Sequence, residues 1–219
     1  MKRAESINHV INTLKKEVKK FKEPIVTQYS HKKNPFKVLI SCILSLRTKD
    51  EVTGKASKRL FSKADTPKKI LKLKTKEIEK LIYPVGFYRT KAKRLKEISK
   101  TLLEEYNGKV PNNYNQLIRL RGVGPKTASI TVVYGFNKPY FIPTDVHVHV
   151  IANRLGWVEA KNPEETMHEL MKVVPKKYWY NLNSLFVAFG QNTCVTISPF
   201  CSKCPIKKYC PKIGVVRSR

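Results

Sequence analysis

Leu120-Arg121-Gly122-Val123-Gly124-Pro125-Lys126-Thr127-Ala128 reads as a helix stop, a two-glycine hairpin and a helix start, with a lysine set into the new helix. Upstream, Asn112 or Asn113 can cap a helix whose apolar residues are Leu117, Ile118 and Leu120. Downstream, Pro125 suits a first helical position, where its missing N–H costs nothing. Ala128, Ile130, Val132 and Val133 then continue as an apolar helix. Gly122 and Gly124 permit positive φ and put no side chain between backbone and ligand. Amides in such a turn, beside a helix N-terminus, make a seat for a phosphate.

Composition agrees with a polyanionic partner. The chain of 219 residues carries 44 Lys and Arg against 16 Asp and Glu, a formal charge of +28. Such a surplus favours phosphate backbones, whose condensed counterions are released on binding. Charge alone also fits an anionic membrane surface or a merely basic exterior. The run Lys91-Ala92-Lys93-Arg94 reads as the solvated face of a helix. The longest apolar run, Val38 to Leu46, is interrupted by Ser41 and Ser45 and is too short to cross a bilayer. No membrane association and a cytoplasmic or nuclear location are expected.

The remaining periodicity is helical. Ile7, Val10, Ile11, Leu14, Val18 and Phe21 share one helical face. Asn34-Pro35 starts a helix apolar on every side through Leu46, as a buried central helix is. Thr48 with Glu51 has the spacing of a capping box. Thr66-Pro67, Thr75 and Asn162-Pro163 open further helices. Ala92, Leu95, Ile98, Leu102 and Tyr106 mark a long one stopped near Gly108. No segment alternates convincingly as a strand, so the fold class is all-α.

Four of the five cysteines cluster as Cys194-x6-Cys201-x2-Cys204-x5-Cys210. In a reducing compartment such clustering points to a metal before disulfides. Zinc usually takes two paired Cys-x2-Cys units or adds histidines, whereas four thiolates on short loops suit a 4Fe–4S cube with one cysteine per iron. Cys42, in the apolar helix, reads as a small core residue.

The hairpin resembles the helix-hairpin-helix of DNA repair glycosylases. With the cysteine spacing, the chain resembles endonuclease III over most of its length. Residues 83–128, from Tyr83-Pro84-Val85-Gly86-Phe87-Tyr88 onward, follow that family without gaps, as does Leu44-Ser45-Leu46-Arg47-Thr48-Lys49-Asp50. The resemblance implies a six-helix barrel domain holding the hairpin, at residues 28–138. It implies an iron–sulfur cluster domain from residues 1–27 and 139–219, with a DNA groove between the two. The implied enzyme is a monomeric glycosylase and AP lyase acting on double-stranded DNA with oxidised pyrimidines or abasic sites. Lys126 falls where the family keeps its amine nucleophile and Asp145, in Thr144-Asp145-Val146-His147, where it keeps an aspartate. Cys194, Cys201, Cys204 and Cys210 would hold the 4Fe–4S cluster. Gly122, Val123, Gly124 and Thr127 would bind the DNA backbone.

This chemistry needs a neutral lysine amine at working pH, which burial, a helix N-terminus and neighbouring cations all favour. Asp145 is either a plain helix N-cap or a support for the cationic sugar. Two positions differ from the bacterial pattern. Arg47 replaces a gap-filling glutamine, and Phe87 replaces a wedging leucine, with a core aromatic as its other reading. The segment from Val195 to Phe200 carries no basic residue, which leaves Lys203, Lys207, Lys208 and Lys212 for phosphate contacts. His147 matches a structural histidine of the family. Two other functions stay open. One is a mismatch glycosylase, which the presence of Lys126 disfavours; the other is a non-catalytic DNA-binding redox protein.

Overall fold

The computed structural model describes residues 3–31 and 34–219. The described residues form helices joined by turns and irregular loops, with no strand. The chain divides into two compact units, one of Met1–Pro24 with Pro139–Arg219, the other of Ile25–Lys138. Helix α1 (Arg3–Glu17) opens the first unit. The second holds α2 (Ile25–Ser30), α3 (Pro35–Ser45), α4 (Asp50–Lys63), α5 (Pro67–Lys72), α6 (Thr75–Ile82), α7 (Tyr88–Tyr106), α8 (Tyr114–Arg119) and α9 (Pro125–Ile130). Helix α9 widens into a π-helical stretch over Thr131–Gly135. The first unit then resumes with α10 (Val146–Arg154), α11 (Pro163–Val173) and α12 (Trp179–Asn192).

Short-range polar chemistry starts many of these helices. Asn34, Thr66 and Asn162 each accept the amide three residues on, from Lys37, Lys69 and Glu165, and each precedes a proline at the first helical position. Asn113 accepts from Asn115 N and Gln116 N at 2.9 and 3.2 Å. Each bond satisfies an amide that the helix itself leaves without a partner. Thr48 is the exception. Helix α4 starts at Asp50 with Lys49 as its N-cap and no side-chain cap, while Glu51 pairs with Lys55 at 2.7 Å. The Thr48 hydroxyl is engaged elsewhere.

In the second unit α3 is the central element, with Phe36 and every residue from Val38 to Leu44 buried. Cys42 is a core residue whose Sγ lies 3.6 Å from Thr127 Oγ1 of α9. The first unit packs Ile7, Val10, Ile11 and Leu14 of α1 with Ile151, Leu170, Leu182, Phe186 and Phe189. Trp157, Tyr178 and Trp179 belong to that same core. None of the described helices is long and apolar enough to cross a membrane.

Candidate functional site

The hairpin is built on hydrogen bonds that its sequence dictates. Leu120 N donates to Leu117 O at 3.1 Å and Val123 N to Leu120 O at 2.9 Å, closing the turn as α8 ends. Gly122 takes φ +82°, the left-handed region, and a Cβ there would stand 2.7 Å from Arg94 Nε. Only glycine fits. Arg94 and Arg121 both reach the Glu97 carboxylate, at 3.3 and 3.1 Å, which ties the turn to α7. Gly124 does not use the positive φ that glycine permits. It is extended at φ −97°, ψ −179°, and a Cβ there would meet nothing within 4 Å. Its value is therefore open space beside the backbone, not conformational freedom.

Val123 is buried and anchors the hairpin tip. Thr127 is also buried, with its hydroxyl against Cys42 and its carbonyl accepting from Thr131 Oγ1 at 2.7 Å. These two side chains face the core, so only the backbone is available to a ligand at these positions. Lys126, the second residue of α9, is partly exposed.

A second cluster lies in the same unit, where the turn after α3 meets the loop before α7. Arg47 and Phe87 both hold left-handed backbone, at φ 51° and 57°. The Arg47 guanidinium stands 5.7 Å from the centroid of the Phe87 ring. Phe87 is 61% exposed, which excludes the core-aromatic reading. Gly86 must be glycine, since a Cβ would sit 2.6 Å from Arg47 O. Beneath them lies Lys91, which sequence reasoning placed on a solvated face. It is 7% exposed, with Nζ donating to Leu44 O at 2.9 Å, Leu46 O at 2.5 Å and Thr48 Oγ1 at 3.2 Å. Burial pushes its amine down to about 8. The signal was present in the sequence: Lys91, Leu95, Ile98 and Leu102 fall on one helical stripe, and Lys91 is the polar member of a buried face.

In the first unit Asp145 is the N-cap of α10. Its Oδ1 accepts from His147 N at 2.9 Å and Val148 N at 3.1 Å, and the residue is buried. His147 packs on Gly190, where a Cβ would come within 2.6 Å of its Nδ1. His149 instead lies 2.7 Å from Thr166 Oγ1, so the two histidines serve separate contacts.

Cys194, Cys201, Cys204 and Cys210 are free, partly buried thiols that line one pocket, whose apolar walls include Ile151, Leu155, Phe189 and Ile206. Among the described residues no three His, Cys, Asp or Glu side chains converge on a point that would hold a single ion. Burial pushes the Cys204 thiol up to about 11 and raises Cys194 and Cys210 as well, with Arg154 opposing the rise at Cys194. Arg154 Nη1 donates to Cys194 Sγ at 3.3 Å and Val195 O at 2.9 Å, and Nη2 to Thr196 O at 2.6 Å. The segment from Val195 to Phe200 gains a second cation from far away in sequence. Arg219 lies 3.9 Å over the Phe200 ring and donates to Ser198 O. Lys203, Lys207, Lys208 and Lys212 are exposed around the same loops.

Residues 40–176 match the HhH-GPD superfamily of base excision DNA repair proteins. The chain is 46% identical to the endonuclease III of Thermotoga maritima over 182 residues, which cover 83% of this chain and 85% of that protein. It is 41% identical to the bovine endonuclease III-like protein 1, a longer protein of which the match spans 60%. Among solved structures it resembles a trapped covalent intermediate of endonuclease III with DNA, at a TM-score of 0.76 and 36% identity, covering 82% of this chain and 84% of that one.

Proposed function

Because this chain belongs to the endonuclease III family within the HhH-GPD superfamily of base excision DNA repair proteins, we propose that Lys126 and Asp145 carry its glycosylase and AP lyase chemistry on oxidised pyrimidines. A glycosylase must reach C1′ of a stacked base, so it extrudes the nucleotide at a cost of a few kcal/mol. The Lys126 amine then attacks C1′ with its lone pair, and the C1′–base bond breaks with its electrons leaving on the base. Loss of a proton from nitrogen and opening of the sugar give a Schiff base. Removal of a C2′ proton then expels the 3′ phosphate by β-elimination, and water hydrolyses the Schiff base to free the amine. Asp145 supports the positive charge that develops on the sugar.

The observation that carries this reading is the hairpin. Gly122 is held in a conformation that other residues resist, Gly124 leaves open space beside the backbone, and Lys126 follows at the start of α9 without being buried. A phosphate seated against that backbone would bring the flanking nucleotide to the lysine. The charge of +28 supplies the sequence-independent affinity that such a search needs. Arg47 and Phe87, exposed and stacked on each other, are suited to enter the gap left by the extruded base.

The four cysteines fit a 4Fe–4S cluster. All four line one pocket, and a cationic centre there would favour the thiolates of Cys194, Cys204 and Cys210, whose ionisation partial burial opposes. When bound, the cluster supplies a structural crosslink, because four thiolates leave no iron position open to substrate. Arg154 and Arg219 hold the loop that carries Cys194. Iron analysis and absorption near about 400 nm on protein purified without oxygen test this assignment. One zinc and no iron per chain would refute it. For the reaction itself, wild-type protein should cleave a thymine-glycol duplex and be trapped on it by borohydride. Base release without trapping would mean a monofunctional enzyme, and neither result would leave only DNA binding.

A further inference from the structure

We propose that Lys91 is a positioning residue for lesion engagement, joining the 44–48 turn to the loop before α7 so that Arg47 and Phe87 meet DNA as one element. The inference rests on the reading above, that Arg47 and Phe87 enter the duplex. Helix α3 ends at Ser45, and its last carbonyls have no partners within the helix. The Lys91 ammonium takes up Leu44 O, and beyond the helix Leu46 O. The partial negative charge at the end of a helix offsets part of the cost of burying a cation there.

The third donor of the ammonium goes to Thr48 Oγ1. That hydroxyl also accepts from Gly86 N at 3.1 Å and donates to Leu46 O at 3.2 Å. One donor and two acceptors are all that a threonine hydroxyl offers, so every position is used. Lys91 likewise spends its three N–H groups on three oxygens. Arginine, with a planar fork, would not place three donors around one point in this way. The network spans the residues on either side of Arg47 and the residue before Phe87. Both of those residues sit in left-handed backbone, a conformation that persists only where the surroundings impose it. On the far side of the loop Arg59 donates to Leu81 O at 2.8 Å and to Tyr83 O. Nothing in this arrangement requires Lys91 to touch DNA; it acts through the two residues it aligns.

The test compares Lys91→Met and Thr48→Val with Arg47→Ala and Phe87→Ala on two duplexes, one intact and one with a tetrahydrofuran abasic site opposite 2-aminopurine. All four variants should lose preference for the gapped duplex by roughly tenfold or more, the scale of a charge-assisted hydrogen bond. They should also lose the 2-aminopurine fluorescence change that reports insertion. For Lys91→Met and Thr48→Val, binding to intact duplex, which depends on phosphate contacts and a sound fold, should change little. A Lys91→Met protein that fails to bind intact duplex has lost its fold, and Thr48→Val then decides. If Phe87→Ala loses the signal while the folded Lys91→Met or Thr48→Val keeps it, the positioning role is overturned and the DNA reading stands. If Arg47→Ala and Phe87→Ala both keep the signal, the reading itself falls and the inference with it.

Discussion

The Arg47 guanidinium lies 5.7 Å over the Phe87 ring, and both residues hold left-handed backbone although they come from different turns. The ring is 61% exposed, so removing it leaves no cavity in the core. Left-handed backbone costs a side-chain-bearing residue about 1 to 2 kcal/mol, and glycine escapes that cost. Phe87→Gly should therefore not lower the thermal midpoint, while single-turnover base release falls. A fall of several degrees in the midpoint would assign the ring to packing.

Lys126→Gln removes the nucleophile from a residue with partial exposure and near-equal helix propensity. Borohydride trapping and strand cleavage should vanish, with affinity for an abasic-analogue duplex within a few-fold of wild type, since one charge among +28 is lost. Covalent trapping by the variant would move the nucleophile to another lysine.

Asp145 caps α10 through Oδ1, and asparagine caps as well as aspartate. Asp145→Asn should thus keep its stability, whereas Asp145→Ala loses about 1 kcal/mol. If the carboxylate stabilises the sugar cation, Asp145→Asn also slows single-turnover base release by about 100-fold or more. Wild-type rates in that variant would reduce Asp145 to a cap.

The two hairpin glycines should respond differently. Gly122→Ala forces a Cβ against Arg94 in left-handed backbone and should cost about 1 to 2 kcal/mol of stability. Gly124→Ala has extended backbone and open space, so stability should hold or rise slightly. It should nevertheless weaken DNA binding, because the new methyl group stands where a phosphate would approach. Denaturant midpoints and anisotropy titrations separate the two effects. Equal loss of stability at both positions would contradict the geometry.

The Lys91 amine is pushed by burial from 10.5 down to about 8. Between those values the unfolded chain binds a proton there that the folded chain has released, so this group makes stability rise with pH across that window. Below about 8 the amine is charged in both states and its pH dependence ends. Denaturant unfolding of wild type and Lys91→Met from pH 7 to 10 should show a steeper rise in wild type. Parallel profiles would mean that the amine titrates as an exposed lysine does.

Whatever depends on near neighbours could be read from the sequence. The caps at Asn34, Thr66, Asn113 and Asn162 act over three residues, and the apolar run of α3 marks it as central wherever the chain goes. The hairpin could be located because its glycines, Pro125 and Lys126 all fall within Gly122–Lys126, and the cysteines because their spacing is short. Other features depended on partners far along the chain. Thr48 satisfies a local capping pattern, yet Lys91 and Gly86 claim its hydroxyl. Both hairpin glycines permit positive φ, yet only Gly122 uses it and Gly124 is extended. The burial of Lys91, the stacking of Arg47 on Phe87, and the approach of Arg154 and Arg219 to the cysteine loop have no local signature that specifies a partner. A cap or a helical stripe is decided by bonds within a few residues. A buried amine finds its acceptors only when packing brings the end of one helix against the side of another.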